Sequence, residues 1–176
     1  DIVFIVDESG SMAGEHAWLT NMVTDLEVAL VAEGVTGNRY GLVGFGGSDA
    51  GGTYQAGHQH DVGGGAFGTA AQLSTATGGL VVSGGFEDGW QAMDFAMSNY
   101  TFTGDAVNFI LITDEPRSVS SLAPGASLTY AGVLADLQSN GVILNAVVNQ
   151  YFYTSANARA LGVADDATAY QADGSD

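Results

Sequence analysis

Four short apolar runs, separated by stretches with helical spacing, constrain the fold of this chain more than any other feature. The runs cover residues 1–7, 39–46, 107–113 and 142–148. Each is apolar on both faces, which is typical of strands in a parallel sheet that helices cover on both sides. We therefore expect a doubly wound α/β fold, with a mostly parallel central sheet and helices on both faces.

The spacing of apolar residues between these runs predicts the covering helices. In the longest stretch Trp18, Met22 and Leu26 recur on one face, and Gly34 ends the pattern. Helices are expected over residues 15–33, 69–75, 87–99, 128–139 and 154–161.

The glycine-rich middle of the chain is less regular. We expect one short hairpin over residues 53–59 and 61–68, which would give the sheet one antiparallel edge strand. The 176 residues, 46% of them hydrophobic, are enough for one domain with a full core, so residues 1–176 are taken as a single domain. Because residue 1 already belongs to the first apolar run, we expect this domain to be a module of a larger protein.

The charge balance excludes several classes of partner. Twenty acidic residues against three lysines and arginines give a net charge of −17, which repels nucleic-acid phosphates and anionic membrane surfaces. No apolar run reaches the ~20 residues that a membrane-spanning helix needs. We therefore expect no nucleic-acid binding and no membrane insertion. The acidic composition favours an extracellular location, where counterions screen the charges.

Oxygen donors follow two of the apolar runs. Asp7, Ser9 and Ser11 come at alternate positions after the first run, and Asp114 follows the run at 107–113. Ligands bind at the carboxyl ends of the strands in such sheets. Two carboxylates repel each other there unless a divalent cation lies between them, and oxygen donors suit a hard ion. The alternative is that Asp7 and Ser9 only cap the following helix.

The segment Asp7-Glu-Ser-Gly-Ser11, directly after a buried strand, resembles the opening of a von Willebrand factor A-type (vWA) domain. That family carries a metal-ion-dependent adhesion site (MIDAS) with the pattern Asp-x-Ser-x-Ser. The resemblance implies coordination by Ser9 and Ser11, and by Asp7 directly or through water. Asp114 matches the later acid of the family pattern, and the resemblance extends from residue 1 to about residue 148.

The middle loop of the expected site departs from integrin-like members, which have a Thr there. Residues 83–90 contain no Thr, but Glu87-Asp88 and Asp114-Glu-Pro116 are similar to a bacterial and extracellular-matrix subgroup. The resemblance implies Glu87 as the middle-loop ligand and Asp88 as an additional candidate. Capping of the next helix is the alternative role for both acids. Mg²⁺ is the expected ion, with Ca²⁺ and Mn²⁺ as alternatives.

The resemblance implies a non-enzymatic adhesion or assembly module on a secreted or cell-surface protein, bacterial and monomeric. A carboxylate or other oxygen donor of a protein or peptide partner would complete the coordination of the ion. Two alternatives are an intracellular vWA assembly factor that docks to an ATPase-type machine, and a structural spacer in a large adhesin. The chain has no cysteine nucleophile and no Gly-x-Ser-x-Gly elbow, and Ser9 stands where aspartyl-phosphate phosphatases have a second Asp.

A second group of metal-ligating residue types is His58-Gln-His-Asp61. On a strand, His58 and His60 would share one face and could bind Zn²⁺. The alternative is a pair of solvated histidines on an edge loop. Family members usually end in an amphipathic helix, whereas residues 164–176 resemble a short strand and a polar tail.

Overall fold

The computed structural model describes residues 1–48, 55–104, 106–115, 117–118 and 125–148. Within them, five strands form one sheet in the order β3-β2-β1-β4-β5. β3 runs antiparallel to β2, and the other neighbours are parallel. This confirms the expected mostly parallel sheet with one antiparallel edge strand. The strands are β1 Ile2–Asp7, β2 Tyr40–Phe45, β3 His58–Gln59, β4 Val107–Thr113 and β5 Val142–Val148.

The helices agree with the spacing of apolar residues to within about two positions at each end. They are α1 Ala13–Ala32, α2 Ala70–Ala76, α3 Gly89–Asn99 and α4 Tyr130–Ser139, with a 3₁₀ turn at Thr77–Gly79. None of the helices in the described part of the chain is long and apolar enough to cross a membrane. The helix expected at 154–161 and the tail at 164–176 lie outside the described residues.

The sheet separates two cores, because successive side chains of a strand point to opposite faces. On β1, Val3 and Ile5 face the side covered by α3 and α4. Phe4 and Val6 face the side covered by α1 and α2. Both faces of β1 are therefore buried. The strand needs no polar positions, which is why it is a continuous apolar run.

The region after β2 differs from the expected hairpin. In the described residues, strand β3 pairs with β2, and Gly68 makes an isolated bridge to Tyr40 of β2. Residues 61–68 form a turn instead of a second hairpin strand, with Gly63 and Gly64 at positive φ. Carbonyl groups of β2 already accept hydrogen bonds from the backbone N–H groups of His60 and Gly68. The two halves of the expected hairpin therefore do not need to pair with each other.

The topology creates a binding edge between β1 and β4. These two strands are parallel neighbours, so the residues that follow them lie at the same C-terminal edge of the sheet. The chain leaves β1 through α1 to reach β2 on one side, while β4 lies on the other side. Such a reversal of strand order is where open α/β sheets bind their ligands.

Candidate metal site

Three loops meet at this C-terminal edge: the first loop (residues 8–12), the middle loop (80–88) and the third loop (114–118). The N–H of Gly10 donates to the carbonyl of Gly84 at 3.1 Å, and the N–H of Ser83 donates to the carbonyl of Glu8 at 2.9 Å. The N–H of Ser118 donates to the carbonyl of Glu87 at 2.6 Å. These backbone hydrogen bonds hold the three loops together.

Asp7 is fully buried at the end of β1. Its Oδ1 accepts a hydrogen bond from the N–H of Ser9 at 2.8 Å, and its Oδ2 accepts one from the hydroxyl of Thr113 at 2.7 Å. Burial raises the pKa of Asp7 to about 7, although these hydrogen bonds oppose the shift. An ionised Asp7 therefore gains from a nearby cation.

The hydroxyl groups of the first loop connect to the third loop. The Oγ atoms of Ser9 and Ser11 are 3.1 Å apart, and the Ser11 hydroxyl donates to Oδ1 of Asp114 at 3.0 Å. Ser9 is buried, whereas Ser11 is exposed. The structure thus brings three of the predicted ligand residues into direct contact, with the outermost of them open to solvent.

Glu87 supplies the acid of the middle loop and is only 3% exposed. Its Oε2 accepts a hydrogen bond from the hydroxyl of Ser118 at 3.1 Å. Burial raises the pKa of Glu87, and the negative charges of Glu115 and Asp114 raise it further. The charge of Glu87 in turn raises the pKa of Asp7. Glu87 thus shares repulsive interactions with Asp7 at the end of β1 and with Asp114 and Glu115 of the third loop, and a divalent cation would relieve them.

Asp88 is placed differently from the other predicted residues. Both of its carboxylate oxygens accept hydrogen bonds from Arg117, at 2.6 and 3.1 Å, and Oδ1 also accepts one from the N–H of Gln91 at the start of α3. The guanidinium of Arg117 lies 4.2 Å from the centre of the Trp90 ring and donates to the carbonyl of Gly125. Asp88 thus has the helix-capping role that the sequence left as an alternative.

Sequence reasoning missed Arg117 and Ser118 as supports of the site. One signal for Arg117 was available, because the chain has only three lysines and arginines and this one directly follows the Asp114-Glu-Pro116 motif. No local pattern indicates that Ser118 contacts Glu87. His16 of α1 has its Nε2 at 2.7 Å from the carbonyl oxygen of Asp7.

Gly46→Ala is expected to destabilise the fold by about 1–3 kcal/mol and to weaken the site. Gly46 has a φ of +79°, and a Cβ there would lie 2.8 Å from Oδ1 of Asp7. Gly34→Ala is a matched control, since Gly34 has a φ of +84° with no atom within 4 Å of an added Cβ. Chemical denaturation measures both. If Gly46→Ala and Gly34→Ala lower the free energy of unfolding equally, the contact between the added Cβ and Asp7 contributes nothing to the loss.

Comparison with known proteins identifies the fold. No family model and no curated protein sequence matches the chain. Among solved structures, proximal thread matrix protein 1 from the mussel byssus matches with a TM-score of 0.55 and 16% identity. The match covers 84% of this chain and 35% of the mussel protein. The chain has a von Willebrand factor A-like fold. The resemblance seen in the first loop is thereby confirmed.

Two further solved structures match the vWA-like domain equally well. The mussel protein with a zinc-occupied MIDAS motif has a TM-score of 0.54 and 20% identity, over 84% of this chain and 37% of that protein. The pilus adhesin SpaC from Lactobacillus rhamnosus GG, in an open conformation, has a TM-score of 0.54 and 18% identity, over 84% of this chain and 23% of the adhesin. The domain thus spans about a third or less of the proteins it matches. At these identities the likeness establishes the fold alone.

Proposed function

We propose that this vWA-like domain binds one divalent cation at its C-terminal edge and, through that ion, an acidic group of a protein or peptide partner. The observation that carries the proposal is the chain of contacts from Ser9 to Ser11 at 3.1 Å and from Ser11 to Asp114 at 3.0 Å, together with the buried acids Asp7 and Glu87. A set made only of hydroxyl and carboxylate oxygens suits a hard cation.

The ligand roles follow from what each side chain already contacts. The hydroxyls of Ser9 and Ser11 and the carboxylates of Glu87 and Asp114 hold the ion. Asp7 holds the ion directly or through a bound water, since each of its oxygens accepts a hydrogen bond from the protein and has a second lone pair. Mg²⁺ is the proposed ion, with Ca²⁺ and Mn²⁺ as alternatives. Asp88 is left out of the ligand set because Arg117 holds both of its oxygens.

The partner reaches the ion from the solvent side, where Gly10 and Ser11 are exposed. A chain with a net charge of −17 repels an acidic partner everywhere except at the cation, so binding requires the ion and is lost on chelation. Val81 and Val82 of the middle loop are 41% and 43% exposed and provide apolar contact beside the ion. We propose a non-enzymatic adhesion role outside the cell, since the matched proteins belong to a byssus and a pilus.

Calorimetric titration of the metal-stripped domain with Mg²⁺, Ca²⁺ and Mn²⁺ tests the proposal. We expect saturable binding of one ion. The double variant Ser9→Ala/Ser11→Ala should bind at least about 100-fold more weakly, since loss of even outer-sphere partners costs about 10–100-fold. Ser139→Ala, an exposed hydroxyl at the end of α4, is the matched control and should bind like the parent. Unchanged affinity in the double variant would refute the site.

A further inference from the structure

A second cluster of ligand-type side chains lies on the opposite side of the first loop from Asp7. Glu8 is fully buried and points toward the edge strand β3. Its Oε2 lies 3.1 Å from Nε2 of His58, and its Oε1 lies 3.3 Å from Nε2 of His60. The two imidazole side chains are 31% and 16% exposed. One carboxylate and two imidazoles therefore converge beneath the partly open surface of the edge strand.

In the metal-free protein an ion pair holds part of this cluster: burial alone would raise the pKa of Glu8, but hydrogen bonds with His58 and His60 lower it to about 2. The geometry still leaves Oε2 of Glu8 and Nε2 of His60 buried without a well-formed hydrogen bond. Nδ1 of His58 lies 3.0 Å from the carbonyl oxygen of Ala56, so Nδ1 donates there. Metal-binding histidines are held in this way. Burial alone would lower the pKa of His58, but the Glu8 carboxylate that faces Nε2 raises it, so a metal ion at Nε2 would replace a proton there.

The distances from the two carboxylate oxygens of Glu8 to the two imidazole nitrogens are close to those between neighbouring ligands of a metal ion. Tetrahedral Zn²⁺ with bonds of about 2.1 Å places neighbouring ligand atoms about 3.4 Å apart. Here the two carboxylate–imidazole distances are 3.1 and 3.3 Å, and one ligand atom from each residue lies within 4.8 Å of the others. Gly44 provides the space for this cluster, because the Cβ of any other residue there would lie 2.7 Å from Nε2 of His60.

We propose that Glu8, His58 and His60 form a second metal site, which takes a transition-metal ion such as Zn²⁺. Two imidazole nitrogens distinguish it from the oxygen-lined site of the same first loop, because nitrogen donors suit Zn²⁺ better than Mg²⁺ or Ca²⁺. Gln55 lies beside the cluster, and a half-turn of its amide group, which exchanges Oε1 and Nε2, would present an oxygen as a fourth ligand. Its Oε1 is buried without a partner, and its Nε2 lies 3.5 Å from Nε2 of His58.

The ion at this second site would brace the first loop. Glu8 already accepts a hydrogen bond at Oε1 from the N–H of Val81 in the middle loop. His58 and His60 lie on and beside β3, which pairs with β2. The metal would therefore tie the edge of the sheet to two of the loops that carry the first site, and through Val81 to the proposed partner surface.

The test is a Zn²⁺ titration of the metal-stripped full chain in excess Mg²⁺, with Co²⁺ as a spectroscopic probe. We expect one Zn²⁺ equivalent under Mg²⁺ saturation and the visible bands of tetrahedral Co²⁺. His58→Gln/His60→Gln should lose both, with at least about 100-fold weaker Zn²⁺ binding and unchanged Mg²⁺ binding. An unchanged far-ultraviolet circular dichroism spectrum shows that this variant is folded, whether or not the first site binds Mg²⁺. Glu8→Gln provides a second variant, with the same loss expected.

The third histidine of the chain supplies the control. His16→Gln removes an imidazole from α1 and leaves the cluster intact, so it should keep the Zn²⁺ equivalent and the Co²⁺ bands. Zn²⁺ binding of equal stoichiometry and affinity in the parent and in His58→Gln/His60→Gln would overturn the proposal. So would Zn²⁺ binding that is lost in Asp7→Asn and retained in the double histidine variant, since the ion would then occupy the first site alone.

Discussion

Asp7→Asn is expected to abolish binding of the divalent cation and, in the absence of metal, to make the domain more stable. The two effects have one cause. Asp7 is fully buried, and burial raises its pKa from 3.8 to about 7, so the folded state disfavours its charge. The ion needs that charge, whereas the metal-free fold is destabilised by it.

The sign and size of the stability change follow from the pKa. A carboxyl group whose pKa is raised on folding opposes folding once it ionises, and the penalty grows as the pH rises from 3.8 to about 7. At about 1.4 kcal/mol per pKa unit, Asn should stabilise the metal-free domain by roughly 2–4 kcal/mol at neutral pH. Asparagine at position 7 can keep both hydrogen bonds of the carboxylate. Its side-chain oxygen can accept from the N–H of Ser9, and its NH₂ group can donate to the hydroxyl of Thr113, which can itself donate to the carbonyl of Glu115.

Thermal unfolding with chelator and with Mg²⁺ measures both effects. The parent should gain stability from Mg²⁺ by mass action, and the variant should gain none. Asp25→Asn is the control, since it removes an exposed negative charge from α1 and reports the general benefit of reducing the net charge. A metal-free Asp7→Asn that is less stable than the parent would show that the buried carboxylate contributes more through its hydrogen bonds than its charge costs.

Arg117→Met is expected to destabilise the domain by about 3–5 kcal/mol, because it leaves Asp88 buried without its counter-charge. The side chains of Arg117 and Asp88 are 6% and 9% exposed. The guanidinium binds both carboxylate oxygens, packs on Trp90 and donates to the carbonyl of Gly125. Methionine keeps much of the apolar contact and removes the charge and its hydrogen bonds.

Urea denaturation of Arg117→Met and of Arg117→Met/Asp88→Asn separates the two contributions. Asparagine at 88 can still cap α3 through Gln91 N–H and carries no charge, so the second change should recover much of the lost stability. Mg²⁺ affinity should also fall in Arg117→Met, because Ser118, the next residue, binds Glu87. A loss below about 1 kcal/mol, the range of surface ion pairs, would show that Asp88 is solvated after all.

The sequence by itself predicted the four long strands, the helices of the described residues and the three oxygen-bearing residues that the structure brings into contact, Ser9, Ser11 and Asp114. Continuous apolar runs marked β1, β2, β4 and β5, since strands covered on both faces need no polar positions. Parallel strands place their carboxyl ends at one edge, so Asp7 and Asp114 could be brought together without coordinates. Asp7, Ser9 and Ser11 alternate within five residues, and such a local pattern can be recognised from the sequence alone.

Only the tertiary structure decided which acids are held by other protein groups. Glu87 and Asp88 are consecutive, yet one lies against Ser118 and the other against Arg117. Glu8 occupies an unassigned position of the Asp-x-Ser-x-Ser pattern, and about fifty residues separate it from His60 in the chain. The pairing of β2 with β3 brings the two side chains within 3.3 Å. Such contacts depend on where distant segments pack, and residue spacing carries no information about that.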